Sequence, residues 1–310
     1  MTKSDLNEKS KELSNQQETL SKGSSETYTQ SSSSTQKGSI SDSAKPAQAK
    51  PIDHSFVEWF VGFSEGDGSF VVNNLSNRIS FIITQKCPSV LYYIKKELGF
   101  GKVYTCKDGY SRYVVSNKKN IESLINVFNG RLKLGKNIAR YIAWQEAYLK
   151  YYNLSISLDL KTPNPKIDLK SAWLSGFIDA EGLFDAPQRS SRNTFRMRFS
   201  LKHKYENLFL SQLPGIWSKD IKIGYLTSSG DLLIYTLDSL IDLRYLMKYL
   251  SEYPLRSNKR IAYEKWKKLY RVIEEGGRGK DYEQIKTMAQ NINKYEDEDK
   301  VQFLYKRYFI

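Results

Sequence analysis

The sequence predicts an α+β fold built from two pseudo-symmetric αββαββα repeats, each with a four-stranded antiparallel sheet. One helix from each repeat packs at the interface between them. Three observations predict this. The segments WFVGFSEGDGSF (Trp59–Phe70) and WLSGFIDAEGLF (Trp173–Phe184) are one pattern written twice, 114 residues apart. The same order of helical and alternating segments follows each copy. Late in each copy, LKLGKNIARY (Leu132–Tyr141) aligns with LRSNKRIAYE (Leu255–Glu264), so that Lys136 falls on Lys259. Self-similarity over the whole span of a unit is the signature of a repeat architecture.

In the first copy, the motif reads as a helix that stops at Gly68. Ser69–Asn74 and Arg78–Lys86 (RISFIITQK) alternate as strands do. An apolar helical stretch follows at Ser89–Leu98. Gly101–Cys106 and Tyr110–Ser116 flank Asp108-Gly109, a hairpin signal. Helical segments come next at Lys118–Phe128 and Lys136–Tyr151. The second copy repeats the order: strands near Leu183–Ala186 and at Phe195–Lys202, then a helix near Tyr205–Leu213. A hairpin at Lys222–Thr227 and Leu232–Leu237 turns around Gly230-Asp231, before helices at Leu240–Leu250 and Asn258–Glu275.

These assignments divide the chain. Residues 1–52 are Ser-, Gln- and Lys-rich with few large apolar residues, too little to offset the entropy of ordering, and read as a disordered tail. The first repeat spans 53–153, an exposed linker with Pro163 and Pro165 spans 154–168, and the second repeat spans 169–275. A charged extension, read as a peripheral helix or a partly disordered segment, fills 276–310. The tail lacks Arg and holds six acids, a poor match to an organellar transit peptide.

Net charge is +14. The first fifty residues hold seven Lys against six acids, so nearly all the excess belongs to the remainder. A basic folded region is the footprint of a polyanion partner. No apolar run approaches the roughly 18 residues of a membrane span, so no membrane role is expected. Two cysteines, Cys87 and Cys106, make neither a zinc site nor a disulfide framework. Abundant Tyr and Lys with scarce Pro fit an AT-rich organellar coding genome.

The motif carries the chemistry. Residues four apart share a helix face. Gly62 and Gly66 in one copy, and Gly176 and Ala180 in the other, form small-residue stripes along which two backbones can approach closely. Asp67 and Glu181 sit one residue before the glycines that end the helices, so side-by-side packing brings both carboxylates to the base of one seam. Acids there oppose the helix dipole by roughly 0.3–1 kcal/mol each, and they repel each other. A divalent cation reverses both effects, with helix-end carbonyls as further hard oxygen ligands; Mg²⁺ is the physiological choice, with Mn²⁺ tolerated.

FVGFSEGDG (Phe60–Gly68) and LSGFIDAEG (Leu174–Gly182) resemble the signatures of the LAGLIDADG homing endonucleases, in the single-chain, two-repeat class. The second signature is close to the family pattern; the first departs at Ser64 and Glu65. The resemblance covers about residues 53–275. It implies saddle-shaped sheets and a monomeric, site-specific DNA endonuclease, intron-encoded, that hydrolyses one phosphodiester in each strand of a long non-palindromic site. It implies metal ligation by Asp67 and Glu181, with the carbonyls of Gly66 and Ala180 as additional ligands. Glu65 and Asp179 fall at the earlier acidic position and are expected to cap or pack helices. Gln85, in ITQK, and His203, in LKHK, match a polar active-site position, and Lys136 and Lys259 match the basic residues that frame the site. Family habit adds the mitochondrion as the compartment, with the chloroplast as the alternative.

With these roles, metals clamp the attacking water and the leaving oxygen, a lysine stabilises the developing phosphorane charge, and Gln85 and His203 order the water. The chain has two histidines, His54 and His203, which makes a Ser/His triad improbable. Strand alternation offers one sheet face to double-stranded DNA. The candidate readers are Asn73, Arg78, Ser80 and Lys86, with Lys107 and Arg112 on the hairpin. In the second repeat they are Gln188, Arg189, Arg192, Arg196, Arg198 and Lys202, with Lys222 and Thr227 on its hairpin. Arg192, Arg196 and Arg198 form the densest basic stripe. An RNA maturase acting on its host intron RNA is the alternative function, and a transcription regulator a third; neither needs the acid pair.

Overall fold

The computed structural model describes residues 53–155, 161–189, 194–204, 207–276 and 281–294. The predicted tail, the middle of the linker, Arg192, Tyr205 and much of the C-terminal extension therefore lie outside the described residues.

The first repeat begins with α1 (His54–Asp67), whose N-cap Asp53 accepts a hydrogen bond from the Ser55 amide. It runs directly into β1 (Gly68–Asn73), followed by β2 (Arg78–Gln85), α2 (Ser89–Leu98), β3 (Lys102–Thr105), β4 (Ser111–Val115), α3 (Lys118–Phe128) and α4 (Gly135–Tyr151). The second repeat is α5 (Trp173–Glu181), β5 (Gly182–Asp185), β6 (Arg198–Lys204), α6 (Asn207–Leu210), α7 (Leu213–Ile216), β7 (Tyr225–Ser229), β8 (Leu232–Leu237), α8 (Leu240–Glu252) and α9 (Lys259–Glu274); α10 (Tyr282–Gln290) follows. Each repeat closes with two helices, as the segment order predicts. The helix expected at Tyr205–Leu213 is instead two short pieces. Pro214 stands in the first turn of the second, and its missing N–H cannot bond back to Leu210 to carry the first piece on.

Both sheets are antiparallel, in the orders β1-β2-β4-β3 and β5-β6-β8-β7. Alternation is clean in β2, where Ile79, Phe81 and Ile83 are buried against the helices while Arg78, Ser80, Ile82 and Thr84 face away. Phe81 packs edge-on to Phe60 of α1. On the other side, Phe184 of β5 packs against Trp266 of α9. The described residues all belong to one compact unit, Lys50–Ile310, with a core running through both repeats.

α1 and α5 are in intimate contact. A Cβ built on Gly62 would lie 1.9 Å from the carbonyl oxygen of Trp173, and one on Gly176 would lie 1.9 Å from that of Trp59. Only glycine permits that approach. Gly68 and Gly182 end their helices for a different reason than a left-handed cap. Both are extended, at φ −88° and −71°, so each helix passes straight into a strand. A Cβ on Gly68 would meet the Ser64 carbonyl at 2.5 Å, and one on Gly182 the Ile178 carbonyl at 2.7 Å.

Candidate active site

Two buried acids build the seam before the site itself is reached. Glu65 accepts from the amides of Lys133 and Leu134 at 2.9 and 2.7 Å, ahead of α4, and from the Trp173 indole at 2.8 Å. Asp179 does the same in mirror fashion: it accepts from the amide of Arg256 at 2.6 Å, from the hydroxyl of Ser257, ahead of α9, and from the Trp59 indole at 2.8 Å. Each acid thus ties its own motif helix to the next helix start of its repeat and to the tryptophan of the other repeat. Lys133 and Arg256, at matching positions, lie over those same indole rings of Trp173 and Trp59. Burial pushes the Glu65 carboxyl up to about 8 and raises that of Asp179, against the donors that favour their ionised forms. Both have the helix-packing role expected of the earlier acid.

At the base of the seam, Gly66 faces Ala180 and Glu181: a Cβ on it would lie 3.2 Å from Cγ of Glu181. Asp67 is pushed up to about 6, first by burial and then by the charges of Glu181 and Asp179, while the bond from Gln85 and the charge of Lys259 oppose the rise. Burial also raises Glu181, with Lys259 opposing. Gln85 Nε2 donates to Asp67 Oδ2 at 2.7 Å. Lys259, the first residue of α9, donates from Nζ to the carbonyls of Ile178 and Ala180 at 3.1 and 2.9 Å. Its ammonium is lowered by burial, against the pull of Asp179, Asp67 and Glu181. The cation that the helix dipole calls for at the end of α5 is therefore supplied from another helix.

Four of the predicted residues, Asp67, Glu181, Gln85 and Lys259, thus share one electrostatic environment. Lys136 is exposed in the first turn of α4. His203 takes the register position of Gln85, since Gly68 pairs with Ile83 and Gly182 with Leu201, each two residues earlier. Its ring lies 5.9 Å from that of Phe177, with Nδ1 2.8 Å from the Lys204 carbonyl oxygen. The Ala180 carbonyl is not an idle acceptor waiting for a metal, because it already holds the Lys259 ammonium.

The donor set suits a hard divalent cation: two carboxylates whose ionisation burial disfavours, Asp67 further by the charge of Glu181, flanked by helix-end carbonyls. Among the described residues, no cluster of three or more His, Cys, Asp or Glu forms an all-side-chain cage.

The sheet faces turned away from the helices carry about half of the predicted DNA readers, and most of the others lie in the loops that border them. Asn73 pairs with Arg78, Val71 with Ser80, and Thr84 with Arg112. Lys86 and Lys107 are exposed beyond the strands. The same face carries Lys102 and Tyr104, which sequence reasoning missed; Tyr104 pairs with Arg112, and that register was the available signal. In the second sheet, Lys202 and Thr227 both pair with Ile234, and Gln188 and Arg189 lie on the β5–β6 arm. Lys222 falls in the loop before β7, which starts only at Tyr225. Two arginines of the expected basic stripe are neutralised: Arg198 bonds Asp185 through two nitrogens, and Arg196 pairs with Asp238 at 2.7 Å. Arg112 lies 3.6 Å from Asp108.

The family model described as "LAGLIDADG endonuclease" matches the chain twice, over residues 60–148 and 174–270. A Neurospora crassa protein named "Probable intron-encoded endonuclease 4" is 33% identical over 227 residues; the match covers 70% of this chain and 40% of that protein. The chain thus matches less than half of that relative's length. A Schizosaccharomyces pombe "Uncharacterized cox1 intron-2 37.2 kDa protein" is 30% identical over 267 residues, covering 83% of this chain and 77% of that one. Among solved structures, the meganuclease I-SmaMI bound to uncleaveable DNA superposes with a TM-score of 0.63 at 17% identity, covering 77% of this chain and 99% of its own. That likeness speaks to the fold.

Proposed function

From the premise that the chain belongs to the LAGLIDADG endonuclease family, we propose that it is a site-specific, metal-dependent endonuclease, intron-encoded, that cuts both strands of duplex DNA. The observation that carries this is the acid pair at the base of the α1–α5 seam. Two carboxylates held in a setting that disfavours their charge reduce stability unless a cation and a phosphate complete the site.

Asp67 and Glu181 would hold the metal, Mg²⁺ by preference, with the Gly66 carbonyl beside them and the Ala180 carbonyl shared with Lys259. When bound, the metal supplies Lewis-acid stabilisation of the charge developing on the phosphate. The residues of the chain do the rest. Gln85 orients the Asp67 carboxylate through its 2.7 Å bond and would help to order the attacking water. Lys259 brings a fixed positive charge to the same point, where it stabilises the transition state more than the ground state. Asn73, Arg78, Arg112, Arg189 and Lys202 offer donors to base edges and phosphates across the two sheet faces. One chain carries both unequal half-sites, which suits a monomer on a non-palindromic target. The relative named for a cox1 intron favours a mitochondrial setting.

Plasmid cleavage with Mg²⁺ tests the assignment. Asp67→Asn and Glu181→Gln should each reduce double-strand cutting by about 10²-fold or more, and cutting should stop when chelator removes the metal. Stability separates this from misfolding. The Asp67 carboxyl is raised to about 6 against 3.8 in the unfolded chain, so its contribution is present below pH 4 and lost as pH rises through 6. At pH 7 the ionised acid costs stability, and Asp67→Asn should melt no lower than wild type. Full cutting by either variant sinks the roles of the acids. A wild type that cuts nothing yet promotes splicing of intron RNA favours the maturase function instead.

A further inference from the structure

The second repeat carries a structure that the first lacks. β1 and β2 are joined by the short turn Asn74–Asn77, in which Asn77 takes φ 49°. β5 and β6 are joined by a longer arm. Its base is a sparse ladder: Arg196 N donates to the Pro187 carbonyl at 2.9 Å, Gln188 pairs with Phe195, and Arg189 N donates to the Thr194 carbonyl at 2.9 Å. Two-stranded ribbons of this size are marginal alone. On the side facing away from the helices, the arm borders a hollow of about 550 Å³ lined by Arg189, Arg196, Arg198, Tyr225 and Asp238 among others. On its other side, Phe195 stacks on Tyr282 of α10, with centroids 5.8 Å apart and planes at 28°.

α10 and the residues after it are fastened independently of that stack. Asp281 caps α10 by accepting from the Gln284 amide at 2.7 Å. Ile292 is 1% exposed. Asn293 Nδ2 donates to the Phe184 carbonyl at 2.9 Å, on the edge strand β5. Lys265 of α9 donates to the carbonyls of Asn291 and Lys294 at 3.3 and 2.7 Å. A segment anchored to α9 and β5 thus presents one aromatic ring to the arm that carries Arg189 and Arg196.

We propose that Tyr282–Lys294 is a positioning element for target recognition: it sets the β5–β6 arm against the DNA half-site read by the second repeat, and against that half-site alone. This rests on the endonuclease function proposed above. Tyr282 need not touch DNA; it acts through Phe195. Without the stack, the arm keeps its arginines, its register and the Arg196–Asp238 pair but loses its support on the side of α10.

The test uses full-length wild type, Tyr282→Ala, Tyr282→Phe and Asn293→Ala. Each is given a randomised duplex library, and cleaved molecules are sequenced to read base preference position by position. Tyr282→Ala should lose about tenfold in preference at positions of one half-site, with the other half-site and the cutting rate on saturating substrate unchanged. Tyr282→Phe keeps the ring and should retain wild-type preference, and Asn293→Ala should fall between. An unchanged profile in Tyr282→Ala, or an equal loss over both half-sites with a lowered melting temperature, overturns the proposal while leaving the endonuclease function standing. A wild type that cuts no library member removes that function, and the proposal with it.

Discussion

The two repeats agree in what holds them together and differ in what they bring to the reaction. Glu65 and Asp179 make matching sets of bonds, down to the indole each takes from the other repeat. Gly62 and Gly176 meet opposing carbonyls at the same 1.9 Å. Yet Gln85 reaches Asp67, while His203, at the matching register, rests against Phe177. Lys259 sits on the end of α5, while Lys136 is exposed. At the seam the glycine approaches and the acid–indole bonds are made twice, once from each repeat. Around the acids the halves differ, so the two strands of a target would meet unlike chemistry.

The largest expected effect tests the shared part. Gly62→Ala and Gly176→Ala each drive a methyl into a backbone carbonyl of the facing helix. A helical Gly→Ala change ordinarily gains about 1 kcal/mol, but overpacking against backbone that cannot move aside costs roughly 1–3 kcal/mol or more. Both variants should lose stability, by similar amounts, in denaturant melts. A marked loss from one and a gain from the other would break the pseudo-symmetry of the seam.

Much of this was legible in the sequence. The spacing of Gly62, Gly66, Gly176 and Ala180 gave the seam, and alternation in RISFIITQ gave β2 and the face that Gln85 shares with Ile83. α2 and α3 have the bounds that their apolar spacing predicts. What escaped depends on the third dimension. Nothing local marks Asp185 and Asp238 as partners of Arg198 and Arg196, because one lies across a strand pair and the other follows β8. Gly68 reads as a helix stop, but its cause is the Ser64 carbonyl and the Phe81 ring, not a left-handed turn. The alignment places Lys136 and Lys259 at one register, but only the packing shows that the Lys259 ammonium meets the carbonyls that end α5 while Lys136 lies exposed in the first turn of α4.

That divergence sets the second prediction. Lys259→Ala removes the charge nearest the acids and leaves the α5 carbonyls without their donor. Lys136→Ala removes an exposed charge. At saturating metal, Lys259→Ala should slow cutting by about 10–100-fold and Lys136→Ala by less than about threefold. Strand-resolved assays on a supercoiled plasmid should show nicked intermediate accumulating in the first variant. Equal effects of the two would mean that Lys136 moves into the site when DNA binds.

The smallest effect is at one of the positions where the two signatures part. Ser64 stands where the second repeat has Ile178, both buried in the motif helices. The Ser64 hydroxyl has no hydrogen-bond partner among the described residues. A buried unpaired hydroxyl costs roughly 1–3 kcal/mol relative to a satisfied one, and alanine removes it without adding volume while favouring the helix. Ser64→Ala should therefore raise stability by about 1 kcal/mol in denaturant melts. Its cutting rate should not change, since the hydroxyl lies three residues before Asp67 and the acid is positioned by Gln85 and the helix end. A fall in stability would mean that the hydroxyl holds a partner in solution. The first repeat would then owe its departure from the signature to that bond, rather than to a freedom that the second repeat lacks.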